Sequence, residues 1–301
     1  MNRKKIVVIG SCNTDMVVKA SRIPVPGETI LGGAFMMNPG GKGANQAVAA
    51  ARMGSNVTFI SKTGNDLFGK QSIEMYNEEN INTQFIFSDS HHPSGVALIM
   101  VDSHGENCIV VASGANASLS PQDIDKARNA IENADIVLIQ LETPIETVEY
   151  AAKLACKKRV KVILNPAPAA FLSNELLSTL YAIIPNKSEA EMLSGIKVSD
   201  WDSARKAAHI IGLKGVALVV ITLGAQGALI KDGENYIEVP VDKVNAIDTT
   251  AAGDTFCGVF CVAISEGKTI EEAVKFANKA ACITVTREGA QSAIPYRKEI
   301  Q

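Results

Sequence analysis

The densest chemistry in the chain lies at residues 245–256, Asn245-Ala246-Ile247-Asp248-Thr249-Thr250-Ala251-Ala252-Gly253-Asp254-Thr255-Phe256. Small residues, a glycine and a carboxylate stand where an extended segment gives way to the apolar run 257–264, which reads as a buried helix. A helix start leaves backbone N–H groups without intrahelical acceptors and is a ready anion site. Ala251, Ala252 and Gly253 carry almost no side chain, so a phosphate could reach the backbone, with Asp254 beside it as a candidate base. The same carboxylate also fits a structural role, an acidic residue favoured by the helix dipole.

A second glycine-rich stretch, Asn38-Pro39-Gly40-Gly41-Lys42-Gly43-Ala44-Asn45-Gln46, precedes the helical run 47–53. It is not a Walker loop, because Gly43 rather than Ser or Thr follows Lys42. Nor is it a dinucleotide fingerprint: Gln46 stands where the third glycine belongs, and no first βαβ strand leads into it. What remains is a tight backbone flanked by Lys42 and Asn45, two groups able to hold hydroxyls. Glu142 ends a strand-like run, where ligands of open α/β sheets gather, although an acidic strand end is equally at home in solvent. Asn186 and Glu189 fit either a capping box or a functional pair. The segment 222–227 closes another strand and reads as a backbone cradle for a nucleotide or as a hairpin turn.

The elements that must position these groups follow a regular rhythm. Apolar strand-like runs at 6–10, 57–61, 136–140, 160–164, 182–185 and 216–222 alternate with helical segments, which predicts an α/β fold with a mostly parallel sheet covered on both faces. Two regions break the rhythm, about 15–37 and 84–112. They read as one small β-sheet standing on the main one within a single domain spanning 1–301. A net charge of −3 lacks the basic excess of a nucleic-acid binder, and no apolar run approaches a membrane span, so a soluble protein is expected. The six cysteines, Cys12, Cys108, Cys156, Cys257, Cys261 and Cys282, sit in apolar segments and are expected to be reduced core residues of a cytoplasmic protein. His91, His92, His104 and His209 show no metal-ligand spacing, and no Gly-x-Ser-x-Gly elbow offers a serine hydrolase.

Taken together, the chain resembles the ribokinase-like carbohydrate kinases. The resemblance runs from Gly10-Ser11-Cys12-Asn13-Thr14-Asp15, Pro26-Gly27-Glu28-Thr29 and the 40–47 stretch to Gln140-Leu141-Glu142 and Asn165-Pro166-Ala167-Pro168-Ala169. It continues through Pro185-Asn186-Lys187-Ser188-Glu189 and Thr222-Leu223-Gly224 to the signature at 248–256, where Ala251 replaces the glycine usual in the broader family. It implies that Asn13, Asp15, Gly41, Lys42, Asn45 and Glu142 hold D-ribose, and that Asp254 is the base for the 5-hydroxyl beside an anion hole at 251–253. It further implies ATP at Asn186, Glu189, Thr222, Gly224, Gly227, Gly253 and Asn278, with Asn186 and Glu189 helping to organise Mg2+. A K+ site is implied at Asp248, Thr250, Thr284, Arg287, Gly289 and Ala293, the last replacing a common serine. The small sheet becomes a lid that pairs two subunits. Asn13 favours ribose over 2-deoxyribose, because a polar group there rewards the 2-hydroxyl. A kinase of the same fold for another substrate is the nearest alternative. A sugar-binding protein without catalysis would not need Asp254 or the anion hole, and an NAD-linked dehydrogenase lacks its fingerprint.

Overall fold

The computed structural model describes residues 3–300 and sorts their strands into two sheets. In chain order the strands are β1 (Lys5–Ile9), β2 (Asn13–Lys19), β3 (Ala34–Gly40), β4 (Asn56–Gly64), β5 (Asn82–Asp89), β6 (Gly95–Val101) and β7 (Asn107–Ala112). They continue with β8 (Ile136–Ile139), β9 (Lys161–Leu164), β10 (Ala182–Ile183), β11 (Leu218–Thr222), β12 (Ala228–Asp232) and β13 (Asn235–Val239). The larger sheet has the order β13-β12-β11-β10-β9-β8-β1-β4-β5 and is parallel except at β12 and β13.

Continuous apolar strands require cover on both faces, and the helices provide it. From β1, Ile6 and Val8 point into one core and Val7 and Ile9 into the other. The first core is capped by helices Lys42–Arg52, Ala252–Ser265 and Ile270–Thr284, the second mainly by Ile145–Lys157 and Trp201–Leu213. Helix Ala252–Ser265 is buried without interruption from Asp254 to Ile264, and each large side chain such as Phe260 contributes about 1.5–3 kcal/mol by leaving water. It lies close against Lys42–Arg52 because the contact is made of small residues. A Cβ on Gly258 would stand 2.6 Å from the Gln46 carbonyl and 2.7 Å from the Ala49 Cβ.

Both neighbours of β1 come later in the chain, and the sheet is built outward from it first through β4 on one side and then through β8 on the other. Such a reversal opens a crevice at the carboxyl ends of the strands. The smaller sheet, ordered β3-β2-β6-β7, stands over that crevice because β2 begins only four residues after β1 ends, as the bounds 9 and 13 show. Asn13, Asp15, Ala97, Ile99, Ile109 and Val111 face the crevice, while Val18, Phe35, Met37, Leu98 and Val110 are exposed.

Two expectations are corrected. Residues 84–89 belong to β5 at the edge of the main sheet, paired in parallel with β4, rather than to the small sheet. Alternating residues such as Phe85 and Phe87 mark a half-covered strand without saying which sheet it joins. Cys108 and Cys156 are exposed, whereas Cys12, Cys257 and Cys261 are buried. Among the described residues no helix is long and apolar enough to cross a membrane.

Candidate active site

Asp254 occupies the first turn of helix Ala252–Ser265, and its carboxylate is gripped from the facing helix. Asn45 Nδ2 donates to Asp254 Oδ2 at 2.9 Å, and Gln46 Nε2 donates to Oδ1 at 2.9 Å. The polarity of this clamp begins at the backbone. Asn165 Nδ2 donates to the Ile184 carbonyl at 3.0 Å, so its Oδ1 accepts from Gln46 Nε2, also at 3.0 Å. Gln46 Oε1 in turn accepts from Gln140 Nε2. A carboxylate that takes an amide donor on each oxygen is oriented before any substrate arrives.

The turn before this helix exposes its amides. Ala252 N–H reaches the Thr249 carbonyl at 3.3 Å and Thr255 N–H reaches that of Ala251 at 2.8 Å. Among the described residues the N–H groups of Ala251, Gly253 and Asp254 have no backbone acceptor. Ala251 holds φ at +59°, a left-handed conformation that costs a non-glycine residue on the order of 1 kcal/mol, which accounts for glycine being usual in the family.

Asp254 stands in the wall of a cavity of about 440 Å³ together with Asn13, Asp15, Gly41, Lys42, Asn45 and Glu142. All six residues expected to hold a sugar are thus brought together. Glu142 is fixed by Ser11 Oγ at 2.5 Å and by the Lys42 N–H at 3.0 Å, while Lys42 Nζ lies 3.9 Å from its other oxygen. Burial, reinforced by the charge of Glu142, pushes the Asp15 carboxyl up to about 6. Asp254, followed by Glu142, holds the Lys42 ammonium above its ordinary value in spite of burial.

A second cavity, of about 610 Å³, adjoins the first at Asn186, Thr222 and Gly253. Gly224, Gly227, Ala252 and Asn278 line it, as expected of a nucleotide site. The segment 222–227 is a hairpin turn, since β11 pairs antiparallel with β12 directly after it, and its Thr222, Gly224 and Gly227 also line this cavity. Asn186 and Glu189 form a complete capping box for helix Lys187–Ser194 and also line the first cavity. Burial pushes Glu189 up to about 7.

Of the residues expected around a monovalent cation, Asp248, Thr250 and Gly289 are tied to one another by hydrogen bonds. Asp248 Oδ1 accepts from Thr250 N–H at 2.9 Å and Oγ1 at 2.6 Å, and its Oδ2 accepts from Gly289 N–H at 3.0 Å. Against the effect of burial, these bonds hold Asp248 below its ordinary value. Thr284 Oγ1 donates to the Ala280 carbonyl at 3.0 Å. Ala293 is buried, and the Arg287 side chain turns away to Glu299 at 2.6 Å. A carboxylate among hydroxyls and carbonyls is an oxygen donor set that suits a hard cation. The described residues contain no group of three or more His, Cys, Asp or Glu able to hold a metal ion.

Sequence reasoning did not assign Gln46, Asn165 and Gln140 to the base, nor Ser11 to Glu142. The available signal was three amides in or beside the glycine-rich loop and at strand ends. Only their convergence in space gives them a role.

The description pfkB family carbohydrate kinase matches residues 3–297. The chain is 48% identical over 298 residues to a ribokinase of Haemophilus influenzae, covering 99% of this chain and 97% of that one. It is 38% identical over 295 residues to a deoxyribokinase of Salmonella typhi, covering 96% and 95%. The structure of Arabidopsis thaliana ribokinase complexed with ribose and ATP superposes with a TM-score of 0.91 at 33% identity, covering 100% of this chain and 98% of that one.

Proposed function

The chain belongs to the pfkB family of carbohydrate kinases, and on that premise we propose that it transfers the γ-phosphoryl group of ATP to O5 of D-ribose, giving D-ribose 5-phosphate and ADP. The observation that carries the reading is the place of Asp254, oriented by two amides, in the wall of the sugar-side cavity and one residue from Gly253, where the two cavities meet. Asp15, Lys42, Asn45, Glu142 and Asn13 hold the sugar hydroxyls. Asp254 takes the proton of the 5-hydroxyl as that oxygen attacks. The free N–H groups of Ala251, Gly253 and Asp254 receive the charge of the phosphoryl group in flight. Such a transfer needs position and charge neutralisation more than covalent help.

Mg2+ bound with ATP would neutralise charge on the phosphates, and Asn186 and Glu189 would help to organise it. K+ would be held by Asp248, Thr250, Thr284, Arg287, Gly289 and Ala293, chiefly through carbonyl oxygens, and would add positive charge behind the turn. Arg287 and Ala293 could contribute only backbone oxygen, given their side chains. The small sheet acts as a lid that excludes water from the transfer. Its exposed apolar face, with Val18, Phe35, Met37, Leu98 and Val110, supports a homodimer formed through the lid, checked by light scattering. ATP as co-substrate fits a cytoplasmic protein.

The test is ADP formation with a panel of sugars, with and without K+. Ribose-dependent turnover that rises with K+ is expected, and no turnover with ribose in Mg2+ and K+ would sink the proposal. Deoxyribose is the second reading because of the Salmonella typhi relative. Against it stands the buried amide of Asn13 in the cavity wall.

A further inference from the structure

The Asn13 amide has two chemically different ends, and a neighbour decides which one meets the sugar. Asn116, in the short turn Gly114–Ser118, accepts at Oδ1 from the Cys12 N–H at 2.9 Å. Its Nδ2 donates to the Cys12 carbonyl at 3.0 Å and to Asn13 Oδ1 at 2.8 Å. The polarity of backbone groups is fixed, so Asn116 cannot be turned over without setting donor against donor and acceptor against acceptor. Asn13 Oδ1 is therefore committed to Asn116, and Nδ2 is the end left for the cavity that Asn13 lines. Asn116 is 1% exposed and Asn13 5%, so water offers little alternative. Gly95 makes the pair possible: a Cβ there would stand 2.2 Å from Asn13 Oδ1 and 2.3 Å from Asn116 Nδ2.

We infer that Asn116 is a positioning residue which, in the space left by Gly95, locks Asn13 as a hydrogen-bond donor toward the sugar and so sets the preference for a 2-hydroxyl over a 2-deoxy carbon. The inference rests on the reading that the sugar lies against Asn13. A buried donor that cannot turn is left unpaired when the hydroxyl is missing, and that penalty is what rejects the deoxy sugar.

The experiment compares kcat/KM for ribose and 2-deoxyribose in wild type, Asn116→Asp, Gly95→Ala and Asn13→Leu. Asn116→Asp keeps an acceptor for the Cys12 N–H but has no N–H for Asn13. The ribose to deoxyribose ratio is expected to fall about tenfold or more, with the deoxyribose value within about threefold of wild type. Gly95→Ala crowds the same pair from the other side while leaving both amides in place, and the same change in ratio is expected, which covers a failure of Asn116→Asp to fold. A ratio unchanged in both variants but collapsed in Asn13→Leu overturns the role of Asn116 and leaves the sugar site standing. A ratio unchanged in all three, or an equal loss on both sugars, also overturns it. Wild type inactive on ribose removes the premise itself.

Discussion

The two ends of the catalytic crevice are built from different materials. At the end proposed for the sugar the lining groups are side chains delivered from distant parts of the chain: Asn13 and Asp15 from β2, Lys42 and Asn45 from the first helix, Glu142 after β8. At the end proposed for the nucleotide the lining is largely backbone and small residues, among them Gly224, Ala225, Gly227, Ala252 and Gly253. Hydroxyls of one sugar must be told apart from those of another, which takes fixed donors and acceptors. A polyphosphate is held by many N–H groups of similar kind, which takes close approach to the main chain. One end should therefore fail when a functional group changes, the other when bulk is added.

Asp254→Asn breaks the first end hardest. It keeps the shape of the side chain and removes the base, so kcat should fall by roughly 10²–10⁴ with sugar binding nearly intact. Steady-state kinetics with calorimetric ribose binding measures both, and a fall of less than about tenfold would show that Asp254 is not the base.

Gly227→Ala is the corresponding break at the nucleotide end. Gly227 has φ at +107°, and a Cβ there would stand 2.1 Å from the Val239 carbonyl. The substitution should raise KM for ATP about tenfold and lower stability by roughly 1–3 kcal/mol while leaving ribose affinity unchanged. Equal losses for ribose and ATP would erase the distinction between the two ends.

The smallest effect concerns charge at the sugar end. Burial first, and then Glu142, raises Asp15 from its ordinary 3.8 to about 6. A carboxyl raised on folding stabilises the folded state while protonated, and that contribution fades as pH climbs through about 6. In the absence of ligand, Asp15→Asn should therefore gain on wild type by on the order of 2 kcal/mol between pH 4 and pH 7.5. Urea unfolding at the two pH values checks this, and an identical difference at both would show that folding does not raise the Asp15 carboxyl.

Much of this arrangement is legible in the sequence because phosphoryl transfer concentrates unusual residues in short stretches. Gly41, Lys42 and Asn45 lie within five positions, and Asp248 to Asp254 within seven. The apolar rhythm of the strands likewise announces a parallel sheet. What is not legible is whatever depends on two distant segments meeting. Gln46 reads as the tail of a glycine loop until Asn165 and Asp254 are placed beside it. The strand at 82–89 carries the same alternation whether it joins the main sheet or the smaller one, and only its register with β4 decides. The exposed Cys108 shows the same limit: its neighbours Ile109 and Val110 are apolar yet exposed on the smaller sheet.

The close contact at Gly258 also bears on how the molecule comes to exist. The helix Ala252–Ser265 and its neighbour Ile270–Thr284 are made about two hundred residues after the strands they cover, on the face of the sheet that carries Ile6, Val8 and Phe59. Until they emerge that face is covered only in part, by helix Lys42–Arg52 and Tyr76, and its completion is a long-range closure of the kind that folds slowly and needs shelter from aggregation. The same docking event sets Asp254 between Asn45 and Gln46, so the orientation of its carboxylate waits on that long-range closure.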